Sequence, residues 1–97
     1  MFRHVVLLRW VPDTTSDQLS ALDRALTGLP GQVREIRSYV FGRDAGVNEG
    51  NFDQVIVADF DNVDDYLVYR DHPDHVALIN DYIRPILAER VAVQHEF

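Results

Sequence analysis

The sequence predicts a ferredoxin-like α+β sandwich, an antiparallel sheet with its helices packed on one face. Three observations lead there. The 97 residues contain no repeat and no linker. The apolar segments follow the order β-α-β-β-α-α-β, a strand–helix–strand crossover followed by a similar unit. The apolar content of 46% and charged content of 26% suit a folded chain and not a disordered one. One domain spanning residues 1–97 is expected.

The first strand is FRHVVLLRWV, Phe2–Val11, rich in β-branched and aromatic residues and closed by Pro12-Asp13. His4, Val6, Leu8 and Trp10 alternate onto one face, and Val5, Leu7 and Val11 onto the other with Arg3 and Arg9. Thr15 followed by Gln18 is a capping-box pattern that starts a helix. Leu19, Leu22, Leu26 and Leu29 then recur at helical spacing, and Pro30-Gly31 is expected to stop the helix. Val33–Arg43 reads as the second strand, Asp44–Asn51 as a polar loop, and Phe52–Phe60 as the third strand. Asn62 is placed to cap a short helix, VDDYLVYRD, with Asp64 and Asp65 in the favourable first turn. Pro73 restarts a helix over DHVALINDYIRPILAE, in which Pro85 predicts a kink or an early end near Asp81–Arg84. RVAVQHEF closes the sheet as the fourth strand.

Helices cover only one face of such a sheet, yet the strands are apolar on both. The uncovered face must therefore meet something, most simply a second copy of the chain, and a homodimer with facing sheets is expected. A cavity between those sheets is a natural place for a small ligand. The net charge of −7, and nine basic residues that are all arginine and scattered, supply no stripe to follow a phosphate backbone, so nucleic acid is not an expected partner. The absence of cysteine excludes disulfides, thiolate metal sites and a cysteine nucleophile. Arg3, His4 and Arg9 interrupt the opening apolar run, which reads as a strand and not as a signal peptide or membrane span. A cytoplasmic protein with no membrane partner is the default expectation.

Chemistry concentrates in YRDHPDHVAL, Tyr69–Leu78. His72 and His75 have the spacing of a metal pair, but Pro73 disfavours helical backbone at His72 and takes it out of register, so no metal site is expected. Pro73 suits the first helical position and Asp74 the first turn, leaving His75 in that same turn. An imidazole near its ordinary pKa of ~6.5 is a usable base. The plainer role, packing or bonding to a backbone carbonyl, is favoured on the residues alone. His4 stands on an otherwise apolar strand face, as a satisfied core residue or as part of a cavity lining. Tyr69 is a hydrogen-bond donor within reach of the His75 turn, or a buried ring with its hydroxyl at the rim.

These features together resemble the stress-responsive A/B barrel (Dabb) domain family. The resemblance is carried by His4, Val6 and Leu8 on the first strand, Leu29-Pro30-Gly31, Gly42-Arg43-Asp44 and FDQVIVADF. It continues through Tyr69 with His72-Pro73 and His75-Val76, then Arg84-Pro85 and Arg90-Val91. It implies a ferredoxin-like fold that dimerises through its sheets into an α+β barrel, with a cavity inside each half. Its olivetolic acid cyclase-type members close linear polyketides by aldol condensation without cofactor or metal. Carried over, His75 is the general base, Tyr69 hydrogen-bonds the carbonyl that gains charge, and His4 supports the cavity floor. Val6, Leu8 and Trp10, on the face of His4, are then expected to contact the substrate. The resemblance equally includes members described as stress proteins, so a non-enzymatic, ligand-binding dimer stands as the other expectation.

Overall fold

A computed structural model describes residues 1–97. The elements are β1 (Phe2–Trp10), α1 (Ser16–Gln32), β2 (Ser38–Arg43), β3 (Gln54–Phe60), α2 (Val63–Asp71), α3 (Pro73–Leu78) and β4 (Leu87–Glu96). A π-helical turn, Ile79–Ile83, and a 3-10 turn, Arg84–Ile86, carry the chain from α3 into β4. The four strands form one antiparallel sheet in the order β2-β3-β1-β4. This is the ferredoxin-like α+β fold.

Local signals place most of these elements. Thr15 Oγ1 accepts from the Gln18 N–H at 3.2 Å while Gln18 Oε1 accepts from the Thr15 N–H at 2.9 Å, so two donors at the start of α1 are satisfied reciprocally. Leu22, Leu26 and Leu29 on the sheet-facing stripe of α1 are fully buried. Asn62 accepts from the Asp65 N–H at 2.9 Å and caps α2.

Three boundaries depart from the sequence expectation. Pro30-Gly31 does not stop α1, which runs to Gln32; Pro30 lies in the last turn, where it forfeits one internal bond, and the Val33 N–H still reaches the Leu29 carbonyl at 3.0 Å. Val33 is consequently a buried helix-end anchor, and β2 begins only at Ser38. The last helix is interrupted as Pro85 predicts, but α3 already ends at Leu78, before Asp81–Arg84. Pro85 has no N–H to offer and its ring crowds the preceding turn, so the chain widens into the π turn, tightens into the 3-10 turn, and starts β4 at Leu87.

Register decides which side chains meet. On the helix side, one row across the sheet runs Tyr39, Ala58, His4, Gln94, and another runs Arg43, Gln54, Leu8, Arg90. On the other side the rows are Val40, Val57, Val5, Val93 and Gly42, Val55, Leu7, Val91. No helix covers that second face, and Val40 and Val93 are 59% and 66% exposed on it. The two-sided apolarity read from the strands is thus real, with one side in the core and the other open.

Candidate functional site

A cavity of about 380 Å³ lies between the helix side of the sheet and the α2–α3 segment. Its floor includes His4, Val6, Leu8 and Ile56, and its wall Tyr66, Tyr69 and His75. It therefore sits within one protomer, on the opposite side of the sheet from the sheet-to-sheet space suggested by the strand pattern. A larger hollow of about 680 Å³ beside Asp61, Asp64 and Glu96 is open to solvent and its only titratable side chains are these carboxylates. Chemistry, not size, selects the smaller one.

His75 is held by the turn that Pro73 and His72 initiate. His72 has extended backbone, φ −62° and ψ 132°, and its Nδ1 accepts from the Asp74 N–H at 3.1 Å, so it is the N-cap of α3. One turn on, His75 Nδ1 lies 3.0 Å from the Arg70 carbonyl oxygen. A carbonyl can only accept, so Nδ1 carries the proton and Nε2 keeps its lone pair. Burial leads in holding the imidazolium below its ordinary pKa; the carbonyls of Arg70 and Tyr69 oppose this, and the charges of His72 and Arg90 add to it. His75 is thus a neutral base of fixed tautomer.

Tyr69 does not hydrogen-bond His75 but stacks on it, with ring centroids 4.0 Å apart and planes at 30°. Its hydroxyl meets the Tyr39 hydroxyl at 3.0 Å. Burial, and then Tyr39, push the Tyr69 phenol well above its ordinary range, while burial pushes Tyr39 up to about 12 against the lowering bond from Tyr69. Both stay protonated at neutral pH. Two hydroxyls sharing one bond leave one hydrogen spare, so this pair offers the cavity a single donor.

His4 faces the same cavity from β1. Its Nδ1 accepts from the Gln94 amide at 3.0 Å, and that amide also donates to the Tyr66 hydroxyl at 2.9 Å. An accepting Nδ1 puts the proton on Nε2, so neutral His4 is a donor where neutral His75 is an acceptor. Burial first, then the charges of Arg90 and His75, lower His4 to about 4. The Tyr66 ring, centroid 5.0 Å from that of His4 and 6.2 Å from that of Tyr69, links the two halves of the wall.

Of the residues expected at the site, His75, Tyr69, His4, Val6 and Leu8 line one cavity. Trp10 is a correction: it lies outside the lining, in the core, with its backbone N–H on the Asp53 carboxylate at 2.8 Å. Sequence reasoning passed over Tyr39, Gln94 and the lining arginines Arg70, Arg84 and Arg90. The row Tyr39–His4–Gln94 is visible only once the register is known.

The sheet, the helical layer and the histidine–tyrosine cavity define a ferredoxin-like protein with a small-molecule-sized pocket in each chain. The chain belongs to the stress responsive A/B barrel domain family, whose model matches residues 2–97. Among solved structures, it is similar to a dimeric ferredoxin-like protein of unknown function from Thermobifida fusca, 44% identical with a TM-score of 0.91, covering 99% of this chain and 90% of that one. A dimeric protein of unknown function and ferredoxin-like fold from Bacteroides fragilis is 28% identical, with a TM-score of 0.82 and coverage of 99% and 95%. The hydroxynitrile lyase from Passiflora edulis shares the fold at 18% identity, with a TM-score of 0.85 and coverage of 97% and 90%. No curated protein matches the sequence. No helix of this chain is long and apolar enough to cross a membrane.

Proposed function

We propose that this chain is a cytoplasmic, homodimeric, cofactor-independent enzyme that performs acid–base chemistry on a small carbonyl compound, of the polyketide cyclase or aldol type. The observation that carries the reading is His75: its Nδ1 proton is committed to the Arg70 carbonyl, leaving a basic Nε2 on an apolar cavity beside buried phenols. His75 Nε2 removes a proton from a carbon between two carbonyls. The enolate oxygen takes a hydrogen bond from the spare hydroxyl of the Tyr69–Tyr39 pair or from His4 Nε2–H. The carbanion attacks a second carbonyl of the same molecule, forming a carbon–carbon bond, and the proton on His75 is delivered to the new alkoxide. A snug apolar cavity contributes by holding the linear substrate folded for attack.

Two supports come from physical chemistry. The depressed His75 pKa keeps the imidazole unprotonated at neutral pH, as a base must be. The fold also hosts proteins named as a hydroxynitrile lyase and an antibiotic biosynthesis monooxygenase, so it accommodates more than one chemistry. The test is incubation with linear poly-β-keto acids, comparing wild type with His75→Ala. Loss of cyclised product by about 10²–10⁴-fold in the variant is expected for a general base. Equal product profiles would remove His75 from that role.

A second reading, a dimeric binding or stress-response protein without turnover, is favoured by one observation. Tyr69, Tyr39, His4 and His75 all have partners inside the chain, as groups that only shape a pocket would. Saturable binding of the same compounds with no product from wild type is its signature.

A further inference from the structure

Three arginines, Arg70, Arg84 and Arg90, line the cavity, and no carboxylate does, in a chain with 16 acidic residues and a net charge of −7. Their charges are not equivalent. Arg70 is neutralised by Asp71, with bonds of 2.9 and 3.1 Å. Arg84 donates to the Asn80 side-chain oxygen at 2.7 Å, a neutral partner that leaves its charge uncompensated. Arg90 makes no side-chain hydrogen bond and no ion pair, although every other arginine of β1, β2 and β4 has an acidic partner. It projects from β4 in the row of Leu8, and its positive charge is felt by His4, His75 and Tyr69 together.

Most of the lining is apolar, including Leu26, Ile56, Leu78, Ile79 and Ile83. An apolar chamber ending in two uncompensated guanidiniums is complementary to a molecule with an apolar body and an anionic head. Guanidinium matches carboxylate in a planar, two-bond geometry, and the small volume favours a compact head over a bulky one. We propose that the cavity selects small carboxylic acids in their ionised form, with the apolar part inside and the carboxylate on Arg90 and Arg84. The proposal rests on the reading of this cavity as the substrate site and deepens it: the substrate of His75 carries a free carboxylate. The carboxylate also anchors one end of the molecule, which fixes the reacting carbons relative to Nε2.

The test compares binding of hexanoate, 1-hexanol and hexyl phosphate by titration calorimetry at pH 7.5 and constant ionic strength. Wild type, Arg90→Gln, Arg90→Lys and His75→Ala are titrated, with thermal midpoints as the folding control. Arg90 is an exposed residue of an edge strand, so its replacement leaves the core intact. The expected result is hexanoate bound more tightly than either analogue, weakened about tenfold or more by Arg90→Gln, and partly restored in Arg90→Lys. His75→Ala is expected to keep the preference for hexanoate over 1-hexanol, because the base is not the anion partner. Equal binding of hexanol, tighter binding of hexyl phosphate, or no binding of hexanoate at millimolar concentration would each overturn the proposal. Carboxylate selectivity in a protein inert toward poly-β-keto acids keeps the anion site and removes the catalytic reading. Turnover without carboxylate selectivity does the reverse.

Discussion

His4 is a titratable group on a strand face otherwise given to Val6, Leu8 and Trp10, and it is only 6% exposed. Its folded-state pKa of about 4 lies below the ordinary ~6.5 of an unfolded chain. Between those values the unfolded state binds more protons than the folded one, so stability rises with pH and is lost as pH falls from ~6.5 toward 4, by about 3 kcal/mol at the limit. His75 is depressed by burial in the same sense. Asp59, held below the usual carboxylate range by its two bonds to Arg3 at 2.7 and 2.9 Å, contributes a separate loss at lower pH. Urea midpoints measured from pH 7.5 to 5 at fixed protein concentration are therefore expected to fall for wild type and to fall less steeply for His4→Gln, in which only His75 of the pair is left to titrate. An identical slope in the variant would show that His4 is not the group that titrates. The tyrosine hydroxyls permit a sharper measurement: Tyr39→Phe and Tyr69→Phe, singly and together, are expected to show a coupling of about 1 kcal/mol in a double-mutant cycle, because each single change strands the other buried hydroxyl. Legibility at this scale follows sequence distance. His75 and Tyr69 lie six positions apart and could be suspected from their spacing. Tyr39, Gln94 and Arg90 come from three places on two edge strands, and nothing local marks them as neighbours of His4.

The segment α2–α3 shows what local sequence can and cannot encode in an element. The helix VDDYLVYRD has the bounds its capping asparagine predicts, Val63–Asp71, and α3 begins at Pro73 with the extended backbone at His72 that a following proline demands. Caps and prolines act within a turn, so a sequence reading sees them. The end of α1 was not legible, because packing decides it: Leu29 and Val33 are buried together past Pro30. The break after α3 was legible from Pro85, whereas its π-helical form, with Ile83 and Ile86 still buried, was not. The role of His72 belongs to this scale. As N-cap it sets the first turn in which His75 stands, and it lies outside the cavity lining, so in the proposed reaction it is a positioning residue. His72→Ala is expected to lower stability by about 1 kcal/mol and to reduce kcat more than KM, whereas His72→Asn keeps an acceptor at the cap and restores both. If alanine and asparagine behave alike in turnover, the cap does not govern His75.

For the molecule as a whole, the uncovered sheet face is the feature that one chain cannot explain. Valines from all four strands form a continuous row there, Val40, Val57, Val5 and Val93, and its two ends are the most exposed members. An open apolar sheet of this kind is suited to association, and similar solved structures are described as dimeric. The strand pattern made this surface legible from sequence, yet it suggested a ligand cavity between two sheets, whereas the cavity lies under the helices of a single chain. The open face and the cavity occupy opposite sides of one sheet, so pairing through that face would leave the cavity in each chain. Val40→Asp and Val93→Asp are placed on different edge strands, so a shared effect reports the face and not one strand. Each is expected to convert a dimer in light scattering into a folded monomer, since a single buried carboxylate opposite its symmetry mate is strongly disfavoured in an apolar interface. Far-UV circular dichroism should be retained, because neither valine contributes to the core cluster around Leu22 and Leu26. Val40→Asp, which lies far from Arg90 in the strand order, should also keep hexanoate affinity within a few-fold of wild type. A wild-type monomer at micromolar concentration would refute the association surface. A folded monomer that has lost hexanoate binding would show instead that the second chain completes the cavity.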